Sequence, residues 1–75
     1  MTEIEWIEVT DSERIVAMAY DEEEEAILVR FKKDEVEWCY EGCPPHVWEE
    51  FSDPGQSKGQ YIHQVLNHKS HRRYD

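Results

Sequence analysis

The run Gly42, Cys43, Pro44, Pro45 divides the chain into two parts with different hydrophobic periods. Proline lacks a backbone N–H and pushes the preceding residue away from helical dihedrals, so a strand or helix stops at such a run. At the first helical position the missing N–H has no intrahelical partner to lose. Strands are therefore expected before the run and helices after it.

Before it, Ile27, Val29 and Phe31 alternate with Leu28 and Arg30, and Val36, Trp38 and Tyr40 alternate with Glu37 and Cys39. This is the period of strands with one buried face. Residues 14–20 (RIVAMAY) are strand-like in residue type, but their apolar pattern is too continuous to assign a register. The acidic run Asp21, Glu22, Glu23, Glu24, Glu25 reads as a hairpin loop, and Lys32, Lys33, Asp34, Glu35 as a second polar turn. Upstream, Ile4, Trp6, Ile7 and Val9 interleave with Glu3, Glu5 and Glu8, which predicts a short edge strand closed by a turn at Asp11, Ser12 and Glu13.

After it, Val47, Trp48 and Phe51 share one side of a short helix that Ser52, Asp53, Pro54 and Gly55 end. Ser57 and Gln60 fit the S-x-x-Q capping box and mark the start of a second helix. Its stripe is Tyr61, Ile62, Val65, Leu66 and Lys69, with the Lys69 methylenes lying along the apolar residues. At 75 residues, a second domain would leave each half too short to enclose a core, so one domain over residues 1–75 is expected. Its class is α+β: a three- to four-stranded antiparallel β-meander followed by two helices packed on one face. Trp38, Tyr40, Phe31, Val47 and Tyr61 are expected to meet between sheet and helices.

Charge constrains the partner. The net charge is −10, which opposes a ligand held by its phosphates. The imbalance is uneven: residues 1–50 hold sixteen acidic side chains against four basic, and residues 51–75 hold four basic against two acidic. Such asymmetry fits either an acidic face and a cationic face on one small body or a solubility feature with no partner. The sequence contains no apolar stretch of about 18 residues and no basic-then-apolar leader, so no membrane association is expected and the cytoplasm is the expected compartment. Oligomeric state stays open.

Cys39, Cys43, His46, His63, His68 and His71 invite a zinc reading, because Cys39-x3-Cys43 followed by His46 falls within structural-zinc spacing. The second ligand pair is the difficulty: His68 and His71 are three apart near the chain end, while Cys39 on a strand points away from Trp38 and Tyr40, with its direction relative to Cys43 open. Two reduced cysteines without a ligand role are the preferred reading, ahead of zinc or a disulfide, and no cofactor or metal is expected. A Cys–His nucleophile would need a pocket and an oriented base, and nothing in the sequence brings Cys43 to a histidine. Glu49 and Glu50 are adjacent on a helix and diverge by about 100°, so they do not form an acid–base pair. No enzymatic activity is expected.

Ser57, Lys58 and Gly59 stand at a helix start, where unpaired N–H groups and the helix dipole favour anions. Lys69, Arg72 and Arg73 add cations at the other end, and Tyr61 and Tyr74 are candidate stacking rings. The plainer reading is a capped helix packed on a sheet with a frayed basic tail. The sharper one is an anion or nucleic-acid surface made of Ser57, Lys58, Gly59, Tyr61, Lys69, Arg72 and Arg73.

These segments together resemble the KTSC domain, a short bacterial and phage module also found at the C-terminus of some lysyl-tRNA synthetases. Tyr20 and Asp21 match the close of its first strand, Ile27, Val29 and Phe31 its L-x-V-x-F strand, and Trp38 and Tyr40 its Y-x-Y. Gly42, Cys43, Pro44 and Pro45 correspond to its G-V-P-P turn. Val47, Trp48, Ser57, Lys58, Gly59 and Tyr61 follow the helix and S-K-G-x-Y signature, and Arg72 with Arg73 matches a common basic tail. The resemblance spans about residues 12–73. It implies no catalytic residues, and an RNA-binding role only through the synthetase fusion. Two departures stand out: Trp38 replaces the first Tyr, and Glu13 with the four consecutive glutamates makes this chain unusually acidic.

The resulting expectation is a small non-catalytic binding or accessory module with RNA, or another nucleic acid, as first partner class. The alternatives are a protein-interaction module, in a phage or host setting, that docks a basic protein partner on its acidic surface, and an acidic nucleic-acid mimic.

Overall fold

The computed structural model describes residues 4–74. Strands β1 (Ile7–Glu8), β2 (Ile15–Asp21), β3 (Ala26–Phe31) and β4 (Glu37–Tyr40) precede helices α1 (Pro45–Ser52) and α2 (Lys58–Gln64). A 3-10 turn (Leu66–His68) then leads to β5 (His71–Arg73). The sheet is antiparallel, with five strands in the order β1-β2-β3-β4-β5. The strand count corrects the expected three to four. The basic tail is not frayed: it returns after the helices and pairs with β4, Trp38 opposite Arg73, Cys39 opposite Arg72 and Tyr40 opposite His71. Pairing there satisfies backbone groups of β4 that an open edge would leave to water.

Alternation along the strands sorts side chains into two clusters. Met18, Ile27, Val29 and Tyr40 share a buried cluster with Val47, Phe51, Tyr61, Ile62 and Leu66, and Tyr20, Phe31, Trp38 and Trp48 pack at its margin. The intervening residues Ala19, Ala26, Leu28 and Cys39 form a second cluster, against which Ile4 and Trp6 pack. This explains the unreadable register of β2. The strand is buried on both sides, and a register shift between Ile15 and Ala17 lets Ile15 and Met18, an odd number of residues apart, serve the same cluster. Small Ala17 and Ala19 face the other way, leaving room for the N-terminal segment. The expected edge strand exists but is reduced to Ile7–Glu8; Glu3 lies outside the described residues.

α1 begins as the prolines require, with Pro44 at the N-cap and Pro45 in the first turn. In α2 the Ser57 hydroxyl accepts the Gln60 N–H at 3.4 Å. The long helical stripe is corrected, however: α2 ends at Gln64, and the following bonds tighten to His68 N–H to Val65 and Lys69 N–H to Leu66. Such i→i+3 bonds narrow the coil. Leu66 still reaches the core, but Lys69 leaves the helix and sits beyond the 3-10 turn.

Candidate functional site

The residues expected to bind an anion occupy separate settings. Lys58 is buried, 6 % exposed, and its ammonium donates to the carbonyls of Asp53 at 2.9 Å and Gln56 at 3.3 Å. It also lies 5.7 Å from the centroid of the Phe51 ring. Its charge therefore closes the α1–α2 connection. Beside it, Gly59 admits the Arg14 side chain: a Cβ there would lie 2.9 Å from the Arg14 Cδ. Arg14 is the cation at the start of α2, and its distance in sequence hides it from any local pattern. Tyr61 is buried, and its hydroxyl donates to the Glu50 carboxylate at 2.7 Å. Burial first, and then the Glu50 carboxylate, push the Tyr61 phenol well above the ordinary tyrosine range.

At the other end, Lys69 is half-buried, and Arg72 and Arg73 are exposed on β5. Successive strand residues point to opposite faces, so Arg72 shares a face with Cys39 and Arg73 shares one with Trp38. Tyr74 meets Trp6 edge-on at 6.4 Å between ring centroids, and its N–H donates to the Glu37 carbonyl at 2.8 Å. Trp6 in turn lies 4.6 Å under the Arg30 guanidinium, which donates to Glu37 at 2.7 Å. This group ties the N-terminal segment to the C-terminal strand.

The cysteines diverge as well. Cys39 belongs to the second cluster, and Cys43 lies in the first with its thiol 3.3 Å from the Tyr40 carbonyl. Burial pushes both thiols up. Among the described residues, no group of three or more His, Cys, Asp or Glu side chains could hold a metal ion.

Ser57, Lys58 and Gly59 line one surface groove together with Arg14, Asp11 and Glu13. Two further grooves carry aromatic side chains. The first is lined by Glu5, Ile7, Tyr20, Glu22, Pro45, Trp48 and Glu49. Its wall is the stacked pair Tyr20 and Trp48, with centroids 5.5 Å apart and planes inclined by 12°. The Tyr20 hydroxyl is anchored on the Cys43 carbonyl, which fixes the pair where β2 ends and α1 begins. Ile7 is the apolar shoulder, 47 % exposed on the β1 edge. Every ionisable carboxyl or amino side chain in this lining is a glutamate, delivered by the N-terminal segment, the β2–β3 turn and the first turns of α1. The excess of acid in residues 1–50 was the sequence signal for it; the aromatic wall had none, since Tyr20 and Trp48 are far apart in the chain.

The second groove is lined by Phe31, Val36 and Trp38 together with Arg14, Lys32, Lys33, Glu13 and Asp34. It is apolar at its base and mixed in charge at its rim.

A sequence model described as the KTSC domain matches residues 11–71. A crystal structure of a KTSC domain protein from Yersinia pestis superposes with a TM-score of 0.85 at 22 % identity, covering 97 % of this chain and 100 % of that one. That likeness shows a shared fold. No curated protein matches the chain. The matched span holds Tyr20, Glu22, Pro45, Trp48 and Glu49, while Glu5 and Ile7 precede it. With the match running from the turn before β2 into β5, the chain belongs to the KTSC domain family.

Proposed function

We propose that the chain is a non-catalytic binding module whose acidic groove holds a lysine- or arginine-rich segment of a protein partner. The observation that carries this reading is the composition of the groove: an aromatic wall and an exposed isoleucine ringed by Glu5, Glu22 and Glu49. An aromatic face attracts a cation, and surrounding carboxylates of one sign raise its local concentration and select against acidic partners. The net charge of −10 works in the same direction at long range. The buried Cys43 thiol, with its raised pKa, supports the non-catalytic part of the reading. Both helices contribute side chains to the same core cluster as alternate residues of β2, β3 and β4, which supports placing them across one sheet face.

A nucleic-acid reading is favoured by the second groove, where Arg14, Lys32 and Lys33 border Phe31 and Trp38. Glu13 and Asp34 interrupt that cationic rim, and the whole-molecule field opposes it, so it stands second.

The test is a titration at two salt concentrations with a lysine-rich peptide and with a single-stranded RNA. The basic-segment reading predicts peptide binding that weakens with salt and RNA binding weaker than about millimolar. Tighter RNA binding that is lost in Lys32→Gln/Lys33→Gln would transfer the function to the second groove.

A further inference from the structure

We infer that the basic segment binds in extended form, adding to the open edge of β1 as a further strand and delivering a lysine or arginine side chain into the acidic groove. The inference rests on the reading of that groove as the site for a basic segment. β1 ends the sheet, and among the described residues no strand pairs with its outer side. Its backbone is oriented for such pairing. Ile7 lies opposite Met18 and Glu8 opposite Ala17, and the Val9 N–H donates to the Val16 carbonyl at 2.9 Å. In an antiparallel ladder these directions alternate, so the Glu8 N–H and carbonyl point away from β2 toward the open edge.

The side chains explain why the added segment would be basic. Glu5 and Ile7 share the face that carries Tyr20, because Ile7 pairs with Met18 in the cluster at whose margin Tyr20 packs. Neighbouring strands lie about 4.8 Å apart, so Tyr20 on β2 stands about 10 Å from an added strand, with the segment from Glu5 to Ile7 between them. Only a long stem reaches over Ile7 to the aromatic wall, and the stems of lysine and arginine do so while ending in a cation. Glu22 and Glu49 stand where that cation would arrive. Glu5 and Glu8 also disfavour pairing of β1 with β1 of a second copy, since like charges would oppose each other across the new ladder.

The experiment uses a synthetic peptide alternating lysine and threonine, and two versions of it N-methylated on the backbone nitrogens of one edge or of the other. Each is titrated into the full chain by Trp fluorescence, and amide exchange is followed at Glu8. Strand addition predicts that the parent peptide binds and protects the Glu8 N–H. It also predicts that N-methylation on the pairing edge weakens binding about tenfold or more while methylation on the opposite edge does not. Equal affinity for all three peptides with Glu8 unprotected would overturn strand addition and leave the basic-segment reading standing. Absence of binding by any of them at low salt would remove both. Self-association through β1 that the peptide does not disperse would also overturn the inference.

Discussion

The Tyr20 hydroxyl donates to the backbone carbonyl of Cys43 at 2.7 Å, joining the end of β2 to the turn that launches α1. The same turn is held from its other side, where the Cys43 N–H donates to the Glu25 carbonyl at 2.7 Å. With its hydroxyl fixed there, the Tyr20 ring stacks on Trp48, so the wall of the acidic groove is built before any partner arrives.

Tyr20→Phe should therefore cost about 1 kcal/mol, because the ring stays and the Cys43 carbonyl loses its donor. Urea unfolding followed by Trp fluorescence measures this. A midpoint equal to that of the parent would show that the bond does not hold the turn.

Lys58→Met should destabilise the chain by about 1–3 kcal/mol, since the Asp53 and Gln56 carbonyls lose a charged donor inside the α1–α2 connection. The effect is on folding. An unchanged melt accompanied by a weaker affinity for RNA would instead restore Lys58 as an anion-binding residue.

Phe51→Ala should cost about 3–5 kcal/mol, as its ring is fully buried between Trp48 and Tyr61. Trp38→Ala should cost less, because Trp38 is only half-buried at the margin of the cluster beside His71. Paired denaturation curves decide the order. A larger loss at Trp38 would place the centre of the core on the sheet rather than on α1.

Stability should fall at alkaline pH. Burial is the leading cause that raises Cys39, Cys43, Tyr20, Tyr40 and Tyr61 above their ordinary values of 9.0 for the thiols and 10.0 for the phenols. The unfolded chain then loses these protons first, so stability is retained below about pH 9 and declines through the ionisation of the thiols and then the phenols. Urea midpoints from pH 7 to pH 11 test the sign. A midpoint that rises or stays level across that window would contradict it.

Local periodicity made much of the fold legible. Ile27, Val29 and Phe31, the prolines at 44 and 45 and the Ser57 cap each act within a few residues, and each sits where its pattern placed it. β5 was hidden because His71, Arg72 and Arg73 have no strand-like alternation, and their pairing with β4 depends on the intervening helices bringing them back. The settings of Lys58 and Arg14 were hidden for a related reason. Composition reports a cation as a free charge, whereas the fold buries one on carbonyls and lays the other against Gly59. The acidic half was visible from the charge count, but the groove needed Tyr20 and Trp48 to meet, and only the docked turn at Cys43 brings them together.

The central claim is that the acidic groove is the binding site, and chemical-shift mapping tests it most directly. Isotope-labelled protein titrated with the lysine–threonine peptide should show its largest changes at Ile7, Tyr20, Glu22, Glu49 and the Trp48 indole. Those changes should be reduced about three- to tenfold in apparent affinity by Glu22→Gln/Glu49→Gln without a change in fold. Shifts confined to Arg14, Lys32, Lys33 and Trp38 on titration with RNA, with no response to the peptide, would contradict the claim.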